Sequence, residues 1–178
     1  MKRLLTPVCA CLLVAAIAAV PVAGARSGGA SSKKVSAADE QYLQNSISGD
    51  RFEIIGGKLA EKKSKNPAVL KLAKTLVSDH SKSLSDAIKL AHELKIDVPS
   101  SPLPSQIWEL KVVAAAKGKA FNVLYSSLEV YDHVQDIDET GTEVSDGTNS
   151  KVRGDARTEL PMLKMHLRLA RKALAAVK

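Results

Sequence analysis

Apolar residues return every three or four positions along four long stretches of this chain, a period that fits helices and no strand. The first stretch carries Tyr42, Leu43, Ile47, Phe52, Ile55 and Leu59, and the second Val69, Leu72, Ala73, Leu76, His80, Leu84, Ala87 and Ala91. Phe121, Leu124, Leu128, Val130, Val134, Ile137 and Val144 make the third, and Val152, Ala156, Leu160, Leu163, Leu167, Ala170 and Leu174 the fourth. Strands of a sandwich or barrel draw on aromatic and β-branched side chains, and only 3% of this chain is aromatic. A membrane barrel, which needs many alternating segments of about ten residues, is excluded on the same ground. The length, 178 residues with 45% apolar and 25% charged side chains, suits one globular domain with an appendage.

Local signals set the expected boundaries. Ser36 with Asp39 three positions on is an N-terminal cap, and Asn66 followed by Pro67 ends one helix and opens the next. Asp97 to Pro104 holds three prolines and predicts a connector, followed by a short helix through Ile107, Leu110 and Val113. Gly118 separates that helix from the third long one, which is expected to reach Asp146. Gly147-Thr148-Asn149 is then a stop followed by a cap. Pro161 inside the last stretch predicts a kink one turn earlier. Trp108 is expected to pack in the crossover, and Lys58, Lys62, Lys63 and Lys65 to face solvent. Val, Ala and Thr fall 3, 7 and 9 residues after both Asn66 and Asn149, so the two helical hairpins echo each other. The pattern predicts an all-α fold over residues 38–178: a four-helix bundle of two hairpins joined by a longer crossover with a short extra helix.

The first residues follow a different rule. Met1-Lys2-Arg3 is basic, Leu4 to Val22 is apolar apart from Thr6 and Pro7, and Ala23-Gly24-Ala25 offers small residues. This is the three-part pattern of a secretory signal peptide over residues 1–25, cleaved after Ala25, which predicts a periplasmic protein. The competing reading is an uncleaved anchor, though its apolar core is marginal for the roughly 20 residues a spanning helix needs. Residues 26–37 (RSGGASSKKVSA) form a Gly/Ser/Lys linker, flexible by composition. Cys9 and Cys11 leave with the signal, so the mature chain has no disulfide, thiolate nucleophile or cysteine-ligated metal, and it has no transmembrane span.

Charge narrows the partners. The 26 Lys+Arg against 19 Asp+Glu give +7, and loss of Lys2 and Arg3 leaves +5. That surplus is too mild for a nucleic-acid binder and fits anionic envelope components such as lipid phosphates. Lys58, Lys62, Lys63, Lys65, Lys74, Arg168, Arg171 and Lys172 are the candidate positions. No phosphate-binding glycine loop, nucleophile elbow or catalytic triad is visible.

One constellation stands out. Glu53 lies 13 residues before Asn66, His80 14 after it, His133 14 before Gly147 and His166 17 after Asn149. At 1.5 Å per residue, each sits roughly 20–25 Å from its hairpin turn, near mid-helix. One donor per helix at one height predicts a single transition-metal ion, Zn²⁺, Fe or Cu, bound by Glu53, His80, His133 and His166. Asp79 and Glu129 are the candidates for orienting the rings, and Gly49, Gly56 and Ala60 for leaving space around Glu53. The Glu-x-x-His repeat of carboxylate di-iron bundles is absent, since Val77, Val130 and Leu163 stand three residues before the histidines. The competing reading keeps the histidines purely structural, satisfied by Asp79, Glu129 or backbone carbonyls, in a non-catalytic envelope stress or interaction protein with a basic surface.

Several of these motifs occur together in one known family. Phe52-Glu53, Lys58-Leu59-Ala60, Asn66-Pro67, Asp79-His80, Phe121, Tyr125, His133 and Leu160-Pro161-Met162-Leu163 with His166-Leu167 resemble the bacterial secreted family called domain of unknown function 4142. The resemblance runs from Ala38 to Ala175 and implies a ferritin-like fold. It also implies a periplasmic or outer-membrane setting, and it places Glu53, His80, His133 and His166 on the family's recurring Glu and His positions. The family's activity is not established, so the resemblance implies no reaction.

Overall fold

Four of the five helices begin where the sequence offers an acceptor or a proline. Ser36 Oγ accepts from the Asp39 amide at 3.1 Å, and Asp39 Oδ2 accepts from the Ser36 amide at 2.8 Å, a reciprocal capping box. Asn66 Oδ1 accepts from Ala68 and Val69 at 2.9 and 3.3 Å, with Pro67 in the first turn. Asn149 Oδ1 does the same for Lys151 and Val152 at 2.9 and 3.4 Å. The computed structural model describes residues 34–178, and the expected signal peptide and residues 26–33 of the expected linker lie outside them. The described chain is all-helical: α1 (Ala37–Lys63), α2 (Pro67–Leu94), α3 (Pro104–Ala115), α4 (Gly118–Asp146) and α5 (Ser150–Ala175), with no strand. Among the described residues no helix is long and apolar enough to cross a membrane.

Two helix boundaries use left-handed backbone. Lys95 closes α2 at φ 59°, where glycine is the usual residue, and Gly118 opens α4 at φ 56°. At the other end of the connector, Pro104 starts α3 and Gln106 Oε1 reaches back to the Leu103 amide at 2.9 Å. α5 runs from Ser150 to Ala175 through Pro161 without a break.

The long helices pack most extensively as α1 on α2 and α4 on α5. α2 against α5 and α1 against α4 join the pairs, and α3 lies on α1 and α4. Apolar side chains gather in two clusters. Ala60, Leu72, Leu76, Phe121, Tyr125 and Ala170 belong to one, and Leu43, Ile47, Ala87, Ala91 and Val152 to the other. Between them in sequence on α1, α2 and α5, and after the first of them on α4, come buried polar residues: Asp50 and Glu53, His80, then Glu129, Asp132 and His133, and His166. The first two helices approach closely at Gly57, where a Cβ would stand 2.6 Å from Val77 Cγ2 and 3.0 Å from the Ala73 carbonyl oxygen. Gly57, rather than Gly49 or Gly56, is therefore the position where a side chain has no room.

Three sequence expectations are corrected. Trp108 does not pack in the crossover but is 66% exposed. Lys63 is half-buried, its ammonium donating to the Ala114 carbonyl and lying 5.2 Å from the Phe121 ring centroid. The inward face of α4 is only in part its apolar stripe: Phe121 is buried and Leu128 and Val130 pack on the core. Leu124 and Val134 are largely exposed, while Ser126, Glu129, Asp132, His133, Thr140 and Glu143 are buried.

Candidate metal centre

Three of the four sequence-predicted residues meet. One ring nitrogen from each of His80, His133 and His166 lies within 4.8 Å of the other two, and all three rings are buried. Their centroids are 5.9 Å (His80–His133), 5.0 Å (His80–His166) and 5.3 Å (His133–His166) apart. The rings come from α2, α4 and α5, so no turn or loop sets their height. Helix register does. His92, the remaining histidine, is exposed on α2 and takes no part.

In each ring one nitrogen is held and the other has no partner. His80 Nδ1 lies 2.7 Å from Asp50 Oδ1, His133 Nδ1 donates to the Glu129 carbonyl at 2.8 Å, and His166 Nε2 lies 2.9 Å from Asp79 Oδ2. His80 Nε2, His133 Nε2 and His166 Nδ1 have no hydrogen-bond partner. Burial is the main force holding these imidazoles neutral, pushing His80 and His166 down to about 4 and His133 to about 3. A neutral ring has one N–H and one lone pair, and a nitrogen held by a carbonyl or an ionised carboxylate takes the N–H. That assignment leaves lone pairs on the three unpartnered nitrogens.

Glu53 belongs to a second group. Its donor atoms cluster with those of Glu129 and His133, again within 4.8 Å, and the four predicted residues do not form one set among the described residues. Glu53 Oε1 is 3.7 Å and Glu129 Oε2 3.8 Å from His133 Nδ1, on the side of the ring already occupied by the Glu129 carbonyl. Burial raises Glu53 well above the carboxylate range, and the neighbouring Glu129 and Asp132 raise it further. Glu129 is pushed up to about 8, chiefly by burial. His133 is thus the one ring shared by an imidazole trio and a carboxylic-acid group.

The ring holders were only partly visible from sequence. Asp79 was expected and does hold a ring, though on α5 and not its neighbour His80. Glu129 acts through its backbone carbonyl. Asp50 was missed. The available signal was spacing: Asp50 and Glu53 are three residues apart, and Glu129, Asp132 and His133 fall at i, i+3 and i+4, each set sharing one helical face.

Fold and site together define an all-α protein whose long helices carry a histidine and carboxylic-acid layer between apolar clusters. The chain belongs to the family described as Domain of unknown function (DUF4142), whose model matches residues 24–173. No curated protein and no solved structure compared with the chain matches it.

Proposed function

We propose that this protein is a periplasmic, ferritin-like four-helix bundle that binds one transition-metal ion through His80, His133 and His166, with Glu53 in the carboxylic-acid group on the Nδ1 side of His133. The observation that carries the reading is the set of three buried, unpartnered ring nitrogens from three helices. An unsatisfied buried polar group costs roughly 1–3 kcal/mol, so three together need a common partner. An ion supplies one partner for all three. Donor nitrogens around a tetrahedral Zn²⁺ at about 2.0–2.1 Å sit roughly 3.3 Å apart, and one nitrogen of each ring already lies within 4.8 Å of the other two.

The donor set favours Zn²⁺, Fe or Cu over Mg²⁺ or Ca²⁺, which prefer oxygen. Asp50, the Glu129 carbonyl and Asp79 would fix the ring tautomers as second partners do around known histidine sites. The bound ion would supply Lewis acidity or electron transfer. Binding rather than turnover is the proposed role.

The test is elemental analysis of untagged protein purified from the periplasm, repeated on His80→Ala and His166→Ala. The expected result is near one equivalent in wild type and loss in both variants. Stabilisation by added ion should reach about 2.7 kcal/mol at a hundredfold excess over Kd. Sub-stoichiometric metal with no thermal shift from Zn²⁺, Fe²⁺ or Cu²⁺ would overturn the proposal in favour of structural histidines.

A further inference from the structure

Beside the histidines lies a cavity of about 120 Å³, room for several waters. Exposed Leu103 and Gln135 stand at its rim, and buried Asp50, His80 and Asp132 form part of its inner wall. Half-buried Asp136, Glu139 and Glu159 also line it. Five carboxyl groups therefore share one small space, and no lysine or arginine lines it.

Two features separate this space from a surplus of surface acid. Asp50 and Asp132 are only 4% and 8% exposed, and one oxygen of each, Oδ2, has no hydrogen-bond partner. His80 Nε2, also unpartnered, belongs to the same lining residue set and to the imidazole trio. Glu159 is held by hydroxyls and not by a cation: Ser83 Oγ donates to Oε1, and Ser46 Oγ and Tyr42 OH lie 3.4 and 3.5 Å from Oε2. No three of these carboxyl groups bring donor atoms within 4.8 Å of one another, so the walls suit an ion that keeps its water.

We propose that this chamber is the loading route of the metal centre: a hydrated divalent cation is drawn in by Glu139, Asp136 and Glu159, exchanges water against Asp50 and Asp132, and passes to His80. The inference rests on the metal-binding reading above and adds to it the side from which the ion arrives. A cleft lined by one sign of charge raises the local cation concentration and speeds capture by roughly 10–1,000-fold, an effect that salt suppresses.

Stopped-flow uptake of Co²⁺ by metal-free protein, followed by its visible absorption and normalised to the end-point, reads the rate directly. Asp136→Asn/Glu159→Gln should slow uptake about tenfold and flatten its dependence on ionic strength. Glu139→Gln, at a half-buried position with no part in holding Glu159, should slow it about threefold and serves if the double variant does not fold. Glu40→Gln/Glu61→Gln removes the same charge from exposed positions outside the chamber and should load at the wild-type rate. Wild-type binding with unchanged rates in the double variant and in Glu139→Gln overturns the loading route alone. Equal slowing in the Glu40/Glu61 control also overturns it, since net charge would then explain the rate. Failure of wild type to bind Co²⁺ overturns the metal reading and the route with it.

Discussion

Replacing Asp39 with Asn tests whether the long helices are tied together at the end where α1 begins. Asp39 is fully buried and accepts from the Ser36 amide at 2.8 Å, Ser36 Oγ at 2.7 Å and the Thr148 amide at 2.7 Å. It also accepts from Thr148 Oγ1 at 2.5 Å and from the Asn149 amide at 3.3 Å. One carboxylate therefore caps α1 and pins the turn between α4 and α5. Asn keeps one acceptor oxygen and turns the other into a donor facing donors. At roughly 1.5–3 kcal/mol per bond to a charged acceptor, losing two gives about 3–6 kcal/mol. Relief of repulsion with neighbouring Glu143 returns part, so the expected net loss is about 3 kcal/mol, or roughly 10 °C in Tm for a domain of this size. Ser36→Ala removes the cap and the Ser36 Oγ bond but leaves the Thr148 and Asn149 bonds, and should cost about 1 kcal/mol.

Urea unfolding followed by far-ultraviolet circular dichroism measures both. Burial opposes the charge on Asp39, but the bonds from Thr148 and Ser36 outweigh it and hold the carboxyl well below its ordinary range. A depressed folded-state value adds stability that is complete above the unfolded value of about 3.9 and is lost as pH falls below it. The gap between wild type and Asp39→Asn should therefore narrow at pH 3. An Asp39→Asn loss no greater than that of Ser36→Ala, or one unchanged at pH 3, would refute the reasoning.

Three further outcomes follow from the same geometry. Asp79→Asn weakens the hold on His166 and should lower metal affinity about 10–100-fold by competition titration, without changing the helical spectrum. Lys95→Gly removes the strain of a left-handed non-glycine residue and should raise unfolding free energy by about 1 kcal/mol in urea. Burial, with Asp39 alongside, pushes Glu143 up to about 7, so the folded state keeps a proton that the unfolded chain releases from about pH 4.3 upward. Stability from this group falls as pH rises towards 7, and Glu143→Gln should show a smaller drop in Tm between pH 5 and 8 than wild type.

How much was legible in the sequence depended on what each helix buries. Caps at Ser36, Asn66 and Asn149 are local chemistry and were readable residue by residue. The stripe of α2 was readable too, because Val69, Leu72, Leu76, Ala87 and Ala91 are apolar and buried. On α1 the rule held for Leu43, Ile47 and Phe52 and on α4 for Phe121, but it failed elsewhere on both. Ile55, Leu124 and Val134 keep helical spacing yet are substantially exposed, because Asp50, Glu53, Glu129, Asp132 and Glu143 occupy the inner face. Hydrophobic periodicity assumes an apolar interior, and it fails where polar and ionisable groups occupy the middle. The histidines escaped this failure because their heights could be counted from the turns. Asp50 could not be weighted without knowing that its face of α1 turned inward.

The division of contacts has a mechanical meaning. α1 with α2 and α4 with α5 form the extensive pairs, while the seam between the pairs is thinner. The imidazoles straddle that seam: His80 stands in one hairpin, His133 and His166 in the other, and Asp79 reaches across it to His166. Each hairpin keeps its own helix-to-helix packing if the seam opens, so the two can separate as cooperative units before either unravels. The residues that gather at the histidines are thus also rivets between the two hairpins.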